Sequence, residues 1–507
     1  MVKKLILLLA AALMAGSAAE AEHLTILTAN DTHSCIMPNQ RNRGGLMRRR
    51  VVMDSVRCAD KNVLAVHAGD AVQGTVFFSM FKGDVEYAAI DSLGYDICIL
   101  GNHEFDNGIN DIAKYYSKIR AAKLSANYDM SGTVLDGLFQ PYVIKHVGGK
   151  RIAFMGINLN PKGMIADKCF GDIRYVDATT VALSLSKYLK ESGLADYVVM
   201  VSHIGHVGRQ GVPSDVEIAK QSHYIDLIIG AHSHTLIDPQ NKDSRNPHIV
   251  KNADGKDVFI CQNGGQGEQI GKIDFDTETG KAVFSLIPIN ESYDERAEEN
   301  YPAMKAWLAP YADKVDKKMN TRIATSTMAM SGSTPALGNW VCDAVVEIGR
   351  QIYGKDVQFA LMNRGGIRQP MPVGKVTEGD IESMLPFDNR LTVIKIKGEY
   401  LMEVFKKLAA RGGDAVSSAV EVVFTRDGKI TSAKINGKKL DEKKYYTLIT
   451  IDYLANGGSR MGDLKKGEVL YLDTVPYGNH VIDYVKQLDA KGKKIESSDK
   501  SRMRYKN

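Results

Sequence analysis

The sequence predicts an α/β domain followed by an α+β domain, joined by a helical linker. Three observations lead there. Between His23 and about Ile289, short apolar runs alternate with longer amphipathic stretches, the pattern of strands buried on both faces and separated by helices. From about Ala324 onward the texture changes to hairpin-like strands at 391–396, 419–424 and 446–451, separated by Gly-rich turns. Between the two, residues 291–323 are charged and helix-prone apart from Pro302 and Pro310. A chain of 507 residues has room for about three domains or two large ones. With 44% apolar and 25% charged residues, its composition is that of an ordinary globular protein.

The N-terminal segment is set apart from the fold. Lys3 and Lys4 precede an apolar run from Leu5 to Ala15, and small residues follow up to Ala21. This pattern predicts a secretory signal peptide over 1–21 and export to the periplasm or the extracellular space. No later stretch approaches the ~18–20 apolar residues that span a bilayer, so no transmembrane segment is expected. A net charge of +5 on so long a chain is too dilute for a nucleic-acid footprint. Cys35, Cys58, Cys98, Cys169, Cys261 and Cys342 lie far apart with no C-x-x-C pair, which excludes a thiolate zinc ribbon, and no disulfide is assigned. The expected domains are 22–295, a linker over 296–325, and 326–507.

Five apolar runs in the first domain, at 24–29, 63–66, 96–100, 197–201 and 226–229, carry the chemistry at their ends. The first is followed by Asp31 and His33, the second by Asp70, the third by Asn102 and His103, the fourth by His203, and the fifth by His232 and His234. In an open α/β sheet, ligands bind beyond the carboxyl ends of the strands, so these residues converge on one crevice. Two carboxylates, one amide and four imidazoles (Asp31, Asp70, Asn102, His33, His203, His232 and His234) exceed the needs of one tetrahedral ion. They suit two first-row metals. Asp70 is the natural bridge, with Asp31, His33 and His234 on one ion and Asn102, His203 and His232 on the other. Two cations ~3.5–4 Å apart can polarise a phosphoryl group and supply a hydroxide for in-line attack, which points to phosphoester hydrolysis. Zinc, manganese, cobalt and iron all suit such a mixed set. His103 and Asp106 lie three residues apart after a strand, where a helical turn brings a carboxylate to an imidazole, a recurring acid/base device. His67, His146, His206, His223 and His248 show no partner pattern and are read as core or surface residues.

In order, D-x-H at Asp31, G-D at Gly69, G-N-H-E-F-D-x-G from Gly101, the H-x-G segment at His203 and G-x-H-S-H from Gly230 resemble the metallophosphoesterase domain of the 5′-nucleotidase family. The family's second domain carries N-x-G-G-I-R and P-F motifs, which here read Asn363 to Arg368 and Pro386-Phe387. The resemblance covers nearly all of the mature chain. It implies a four-layer α/β sandwich bearing two divalent metal ions, a substrate-binding α+β domain that rotates to carry substrate, and a small-molecule nucleotide as substrate. It makes His103 and Asp106 a catalytic dyad. It also implies that Phe387 and Tyr453 sandwich the base, at ~1–3 kcal/mol per base with little base preference, while Asn363, Arg368 and Gly458 contact phosphate and sugar.

Two positions depart from the family pattern. Ser331 stands where the family frequently has an arginine, and Ser459, followed by Arg460, replaces the aspartate after the Gly-Gly pair; Arg364, Arg390 or Arg460 can compensate. The expected activity is hydrolysis of nucleoside 5′-monophosphates. The alternatives are a 2′,3′-cyclic-nucleotide phosphodiesterase, a UDP-sugar or NAD pyrophosphatase with the same metal site, or a non-catalytic exported nucleotide-binding protein.

Overall fold

The computed structural model describes residues 23–39, 41–162, 164–208, 212–240, 246–387 and 389–506; the expected signal peptide lies outside them. The chain forms two units, Met1–Leu308 and Ala309–Asn507.

Twelve strands build the two large sheets of the first unit. They are β1 (His23–Ala29), β2 (Val63–His67), β3 (Ile97–Ile99), β4 (Ala122–Leu124), β5 (Tyr142–Val147), β6 (Lys150–Asn158), β7 (Tyr197–His203), β8 (Leu227–Ile229), β9 (Ile249–Lys251), β10 (Asp257–Cys261), β11 (Gln269–Asp276) and β12 (Ala282–Pro288). The sheets have six strands each, ordered β12-β11-β1-β2-β3-β4 and β9-β10-β8-β7-β6-β5. Strands β1 to β4 run parallel, with β11 antiparallel to β1. In the other sheet β6, β7, β8 and β10 run parallel, with antiparallel strands at both edges.

The near-continuous apolar runs follow from this layering. Leu24, Ile26, Val66, Ile97 and Ile99 of the first sheet join Phe154, Val199, Val201, Leu227 and Ile229 of the second in one buried cluster. The alternate residues of the second sheet, Ala153, Met155, Val198 and Met200, belong instead to a cluster with Ala178, Ala182 and Leu189 of the helix Ala178–Glu191. A period of two thus places both faces of the strand in apolar surroundings, one against a sheet and one against a helix. Because the central strands of each sheet are parallel, their carboxyl ends come out on a common edge.

The stretch expected as a linker is two helices, Asp294–Asn300 and Pro302–Asn320, followed by the strand Arg322–Ser326. Pro302 opens its helix, where a missing N–H costs nothing, and Pro310 is accommodated inside it. The division between units falls within this helix, and Arg322–Ser326 pairs with Gly374–Thr377 as part of the second unit.

The second unit holds a five-stranded sheet in the order Ala415–Val416, Phe359–Met362, Tyr445–Ile451, Arg390–Lys397 and Glu468–Pro476. It also holds a four-stranded sheet in the order Lys438–Lys439, Ile430–Ile435, Val420–Phe424 and Met503–Tyr505. One buried cluster unites Trp340, Val341 and Val345 of the helix Pro335–Ile352, Phe405 of the helix Gly398–Ala409, and Phe359, Val393 and Leu448 of the larger sheet. The six cysteines are free, and no helix among the described residues is long and apolar enough to cross a membrane.

Phe154 is fully buried between the two sheets. Phe154→Ala is expected to lower the urea unfolding free energy of the first unit by about 3–5 kcal/mol. Val283→Ala, on an edge strand with 65% of the residue exposed, should change it by no more than about 0.5 kcal/mol.

Candidate metal centre and substrate loops

The five strand ends come from both sheets, three from the first (β1, β2, β3) and two from the second (β7, β8). Their loops approach too closely for ordinary side chains. A Cβ on Gly69 would sit 2.6 Å from Gly101 N and 2.8 Å from His203 Nδ1, and one on Gly101 would sit 2.2 Å from Asp70 Oδ1. The loop after β1 runs along the loop after β2, with Asp31 N donating to Gly69 O, His33 N to Asp70 O and Ser34 N to Ala71 O at 2.9–3.0 Å. Asp31, His33, Asp70, His232 and His234 all adopt positive φ between 45° and 75°. Such conformations cost about 1–3 kcal/mol each in a non-glycine residue and cluster at functional sites.

These turns bring the seven expected ligands together. Asp31, His33 and His234 form one group of potential donor atoms, and Asp70, His203 and His232 form a second. The groups adjoin: Asp31 Oδ1 is 3.4 Å from His234 Nε2 and 3.9 Å from His203 Nε2, while Asp70 Oδ2 is 3.1 Å from His203 Nε2 and 3.9 Å from His33 Nε2. Asn102 Oδ1 lies 3.0 Å from His232 Nδ1, and the Nε2 atoms of His33 and His234 are 2.8 Å apart. His203 Nδ1 lies 2.8 Å from the Ala68 carbonyl, which fixes the proton there and leaves Nε2 for the centre.

The electrostatics favour cations. Burial opposes charge on Asp31 and Asp70, yet the surrounding imidazoles hold both carboxyls below their ordinary range. Burial pushes His33 and His232 down to about 4, so both are neutral at neutral pH and able to ligate. Burial likewise opposes charge on His203, but the negative charge of Asp70 and Asp31 pulls it up to about 10. His33 Nδ1 is buried without a hydrogen-bond partner. Mixed N and O donors and two buried carboxylates fit a pair of divalent ions.

His103 stands beside this centre. Its backbone N–H donates to Asp70 Oδ1 at 2.9 Å, and its Nδ1 lies 2.9 Å from Asp106 Oδ2. Burial opposes a charge on the ring, but Asp106, then Asp70, raise it to about 9. Asp106 therefore keeps the imidazole protonated at neutral pH, with the proton on Nε2 left available for transfer.

In the second unit, Arg368 Nη1 donates to the Gly365 carbonyl at 3.2 Å and its guanidinium carbon lies 5.8 Å from the centroid of the Phe387 ring. Asn363 Oδ1 is buried without a hydrogen-bond partner. Tyr453 is 44% exposed, and a Cβ on Gly458 would lie 2.5 Å from its Cζ, so the glycine is what lets the loop pass under the ring. Ser331 Oγ pairs with Ser333 Oγ at 2.6 Å, and Ser459 N donates to the Tyr453 hydroxyl at 3.1 Å.

One residue of the first unit escaped the sequence reading, and one read as core or surface proves to be core. Glu104, inside the G-N-H-E-F-D segment, is buried and accepts the N–H groups of Asp70 at 3.0 Å, Ala71 at 2.8 Å and Gly101 at 2.6 Å. Burial, then the Asp70 charge, raises it to about 7. Its place between His103 and Asp106 of the expected dyad was the available signal. His206, three residues beyond His203, is buried with both ring nitrogens unpartnered and is pushed by burial to about 4.

His203→Ala removes a donor from the second group, so bound divalent metal per chain, measured by plasma mass spectrometry after dialysis, is expected to fall by about half or more. The far-ultraviolet circular dichroism should be unchanged, because the strand preceding it is held by the sheet.

Comparison with known proteins agrees with this geometry. Residues 24–236 match the calcineurin-like phosphoesterase family model, and residues 315–467 match the model described as 5′-nucleotidase, C-terminal domain. A human 5′-nucleotidase is 27% identical, with 98% of this chain and 94% of that protein covered. Protein UshA of Yersinia enterocolitica is 27% identical over 86% of each chain. The crystal structure of a 5′-nucleotidase precursor from Thermus thermophilus superposes with a TM-score of 0.76 at 27% identity, covering 96% of this chain and 99% of that one. With a phosphoesterase domain and a 5′-nucleotidase C-terminal domain in this order along one chain, the protein belongs to the 5′-nucleotidase family of metallophosphoesterases, hydrolases acting on phosphoric esters.

Proposed function

We propose that this protein is an exported phosphohydrolase that converts nucleoside 5′-monophosphates to nucleoside and phosphate. The observation that carries the reading is the His103–Asp106 pair, linked at 2.9 Å and joined through the His103 N–H to Asp70. A protein that only binds nucleotides has no use for a protonated imidazole fixed beside a metal centre.

Asp31, His33, Asp70, Asn102, His203, His232 and His234 would hold two divalent ions, for which zinc, manganese, cobalt or iron are suitable. When bound, such a pair polarises the phosphoryl group and lowers the pKa of a water to about 7. The chain's own residues do the rest. Asp106 orients the His103 ring and keeps it charged; His103 stabilises charge on the phosphoryl oxygens or gives its Nε2 proton to the leaving ribose oxygen. Phe387 and Tyr453 offer flat faces to the base, and Arg368, with Asn363 and the loop at Gly458, takes the sugar and phosphate side. Broad acceptance of bases follows from recognition by stacking.

The Ser459-Arg460 sequence favours a second reading, in which the same metal centre cleaves a 2′,3′-cyclic nucleotide or the pyrophosphate of a UDP-sugar or NAD. Phosphate release from AMP, UMP, ADP, ATP, a 2′,3′-cyclic nucleotide, UDP-glucose and NAD, with products identified directly, separates the two. Rapid, metal-dependent release from the monophosphates is expected. Activity confined to a cyclic diester or pyrophosphate would replace the substrate, and no turnover by metal-loaded protein would leave a nucleotide-binding protein. His103→Ala should lower turnover of the preferred substrate by about 10²–10⁴-fold while metal content stays constant; an unchanged rate would remove the dyad from the mechanism.

A further inference from the structure

Three separate segments carry the substrate residues: 363–368, 386–390 and 453–460. Two carboxylates tie them together. Asp452 Oδ1 accepts Asn389 Nδ2 and Arg390 N at 3.1 Å and Tyr453 N at 2.8 Å, joining the Phe387 loop to the start of the Tyr453 segment. Asp414, which lies outside all three segments and is 8% exposed, joins the remaining two. Its Oδ1 accepts Arg364 N at 2.7 Å, and its Oδ2 accepts Arg411 Nη2 at 2.5 Å. The other arm of the same guanidinium, Nη1, donates to the Ser459 carbonyl at 2.8 Å.

A continuous chain of hydrogen bonds therefore runs from the Asn363–Arg368 loop through Asp414 and Arg411 to Ser459. From Ser459 N it continues to the Tyr453 hydroxyl. Ser459 and Arg460 both hold left-handed φ, 49° and 61°, which a non-glycine backbone keeps only when its surroundings enforce it. The Met461 N–H bond to the Gly458 carbonyl and the Ser459 N–H bond to the Tyr453 hydroxyl hold this turn locally, and the fork of Arg411 ties it to Asp414, since a planar guanidinium presents two donors in a fixed geometry to a carboxylate and a carbonyl at once.

We propose that Arg411 and Asp414 are positioning residues that act as one clamp, setting the Tyr453 platform against the Asn363–Arg368 loop and thereby the affinity for the base and sugar of a nucleotide. This rests on the nucleotidase reading for its substrate. The clamp is built wholly from residues of the second unit and includes no ligand of the metal centre, so it governs binding and leaves the hydrolytic step alone. It acts as a unit, because Arg411 makes the bond to the Ser459 carbonyl and Asp414 holds the guanidinium that makes it.

The test is steady-state kinetics of Arg411→Lys, Asp414→Asn and the double variant, with AMP and with 4-nitrophenyl phosphate, which needs the metal centre but offers neither nucleobase nor sugar. Each single change is expected to raise KM for AMP roughly tenfold, the double no further than the worse single, as for coupled neighbours. The kcat for AMP and both constants for 4-nitrophenyl phosphate should stay within about twofold. An unchanged KM, a loss of kcat on 4-nitrophenyl phosphate, or single effects that multiply in the double would each overturn the clamp. Thermal melting identifies any variant that does not fold; Arg411→Gln then replaces it, and an unchanged KM in that folded variant also overturns the proposal. If the unaltered protein hydrolyses 4-nitrophenyl phosphate but not AMP, the nucleotidase reading fails separately, and the same variants are read on whichever nucleotide ester it does turn over.

Discussion

Two buried carboxylates, Asp31 and Asp70, share one small volume at the edge of the first unit, and the loops around them are organised by that constraint. Like charges taken out of water cost several kcal/mol each unless paired. The imidazoles of His203 and His234 and the backbone N–H groups of His103 and His232 supply part of the compensation. Divalent cations, which the family implies, would complete it. The close approach requires glycine at 69 and 101 and goes with positive φ at five of the candidate ligand positions, so the strain of the loops is concentrated around the two carboxylates. Glu104 fastens the arrangement from behind by gathering three N–H groups from the loops after β2 and β3.

The second unit solves a different problem with similar means. In the proposed function the groups that meet the nucleotide are rings and a guanidinium that must stay exposed, so burial cannot hold them in place. Hydrogen bonds to Asp452, Asp414 and the Tyr453 hydroxyl do so instead. Preorganisation of this kind lowers the cost of ordering side chains at the moment of binding. It also gives a tyrosine at 453 a use beyond the proposed platform: its hydroxyl accepts the Ser459 N–H and so fixes the adjacent loop.

Much of this was legible in the sequence because the parallel strands are short and wholly apolar, so the polar residue types that follow them stand out. Asp31, His33, Asp70, Asn102, His203, His232 and His234 were all found by that rule, and the structure gathers them. The rule assumed one open sheet, whereas the strand ends come from two sheets packed face to face; a run apolar on both faces reads the same against a helix or against another sheet. Glu104 was missed because its role lies in the backbone N–H groups it gathers, which only the folded loops bring together. Arg411 and Asp414 were missed because their meaning lies in which distant loops they join. The helix carrying Pro310 shows the reverse, a local breaker overridden by its surroundings.

The most direct test of the central claim is a titration of metal-stripped protein with a divalent ion, following phosphate release from AMP and bound metal in the same samples. Inactive stripped protein should gain activity that levels off as the second equivalent binds, in keeping with two adjoining donor groups. Full activity in the stripped protein, or two bound equivalents with no phosphate released from AMP, would contradict it.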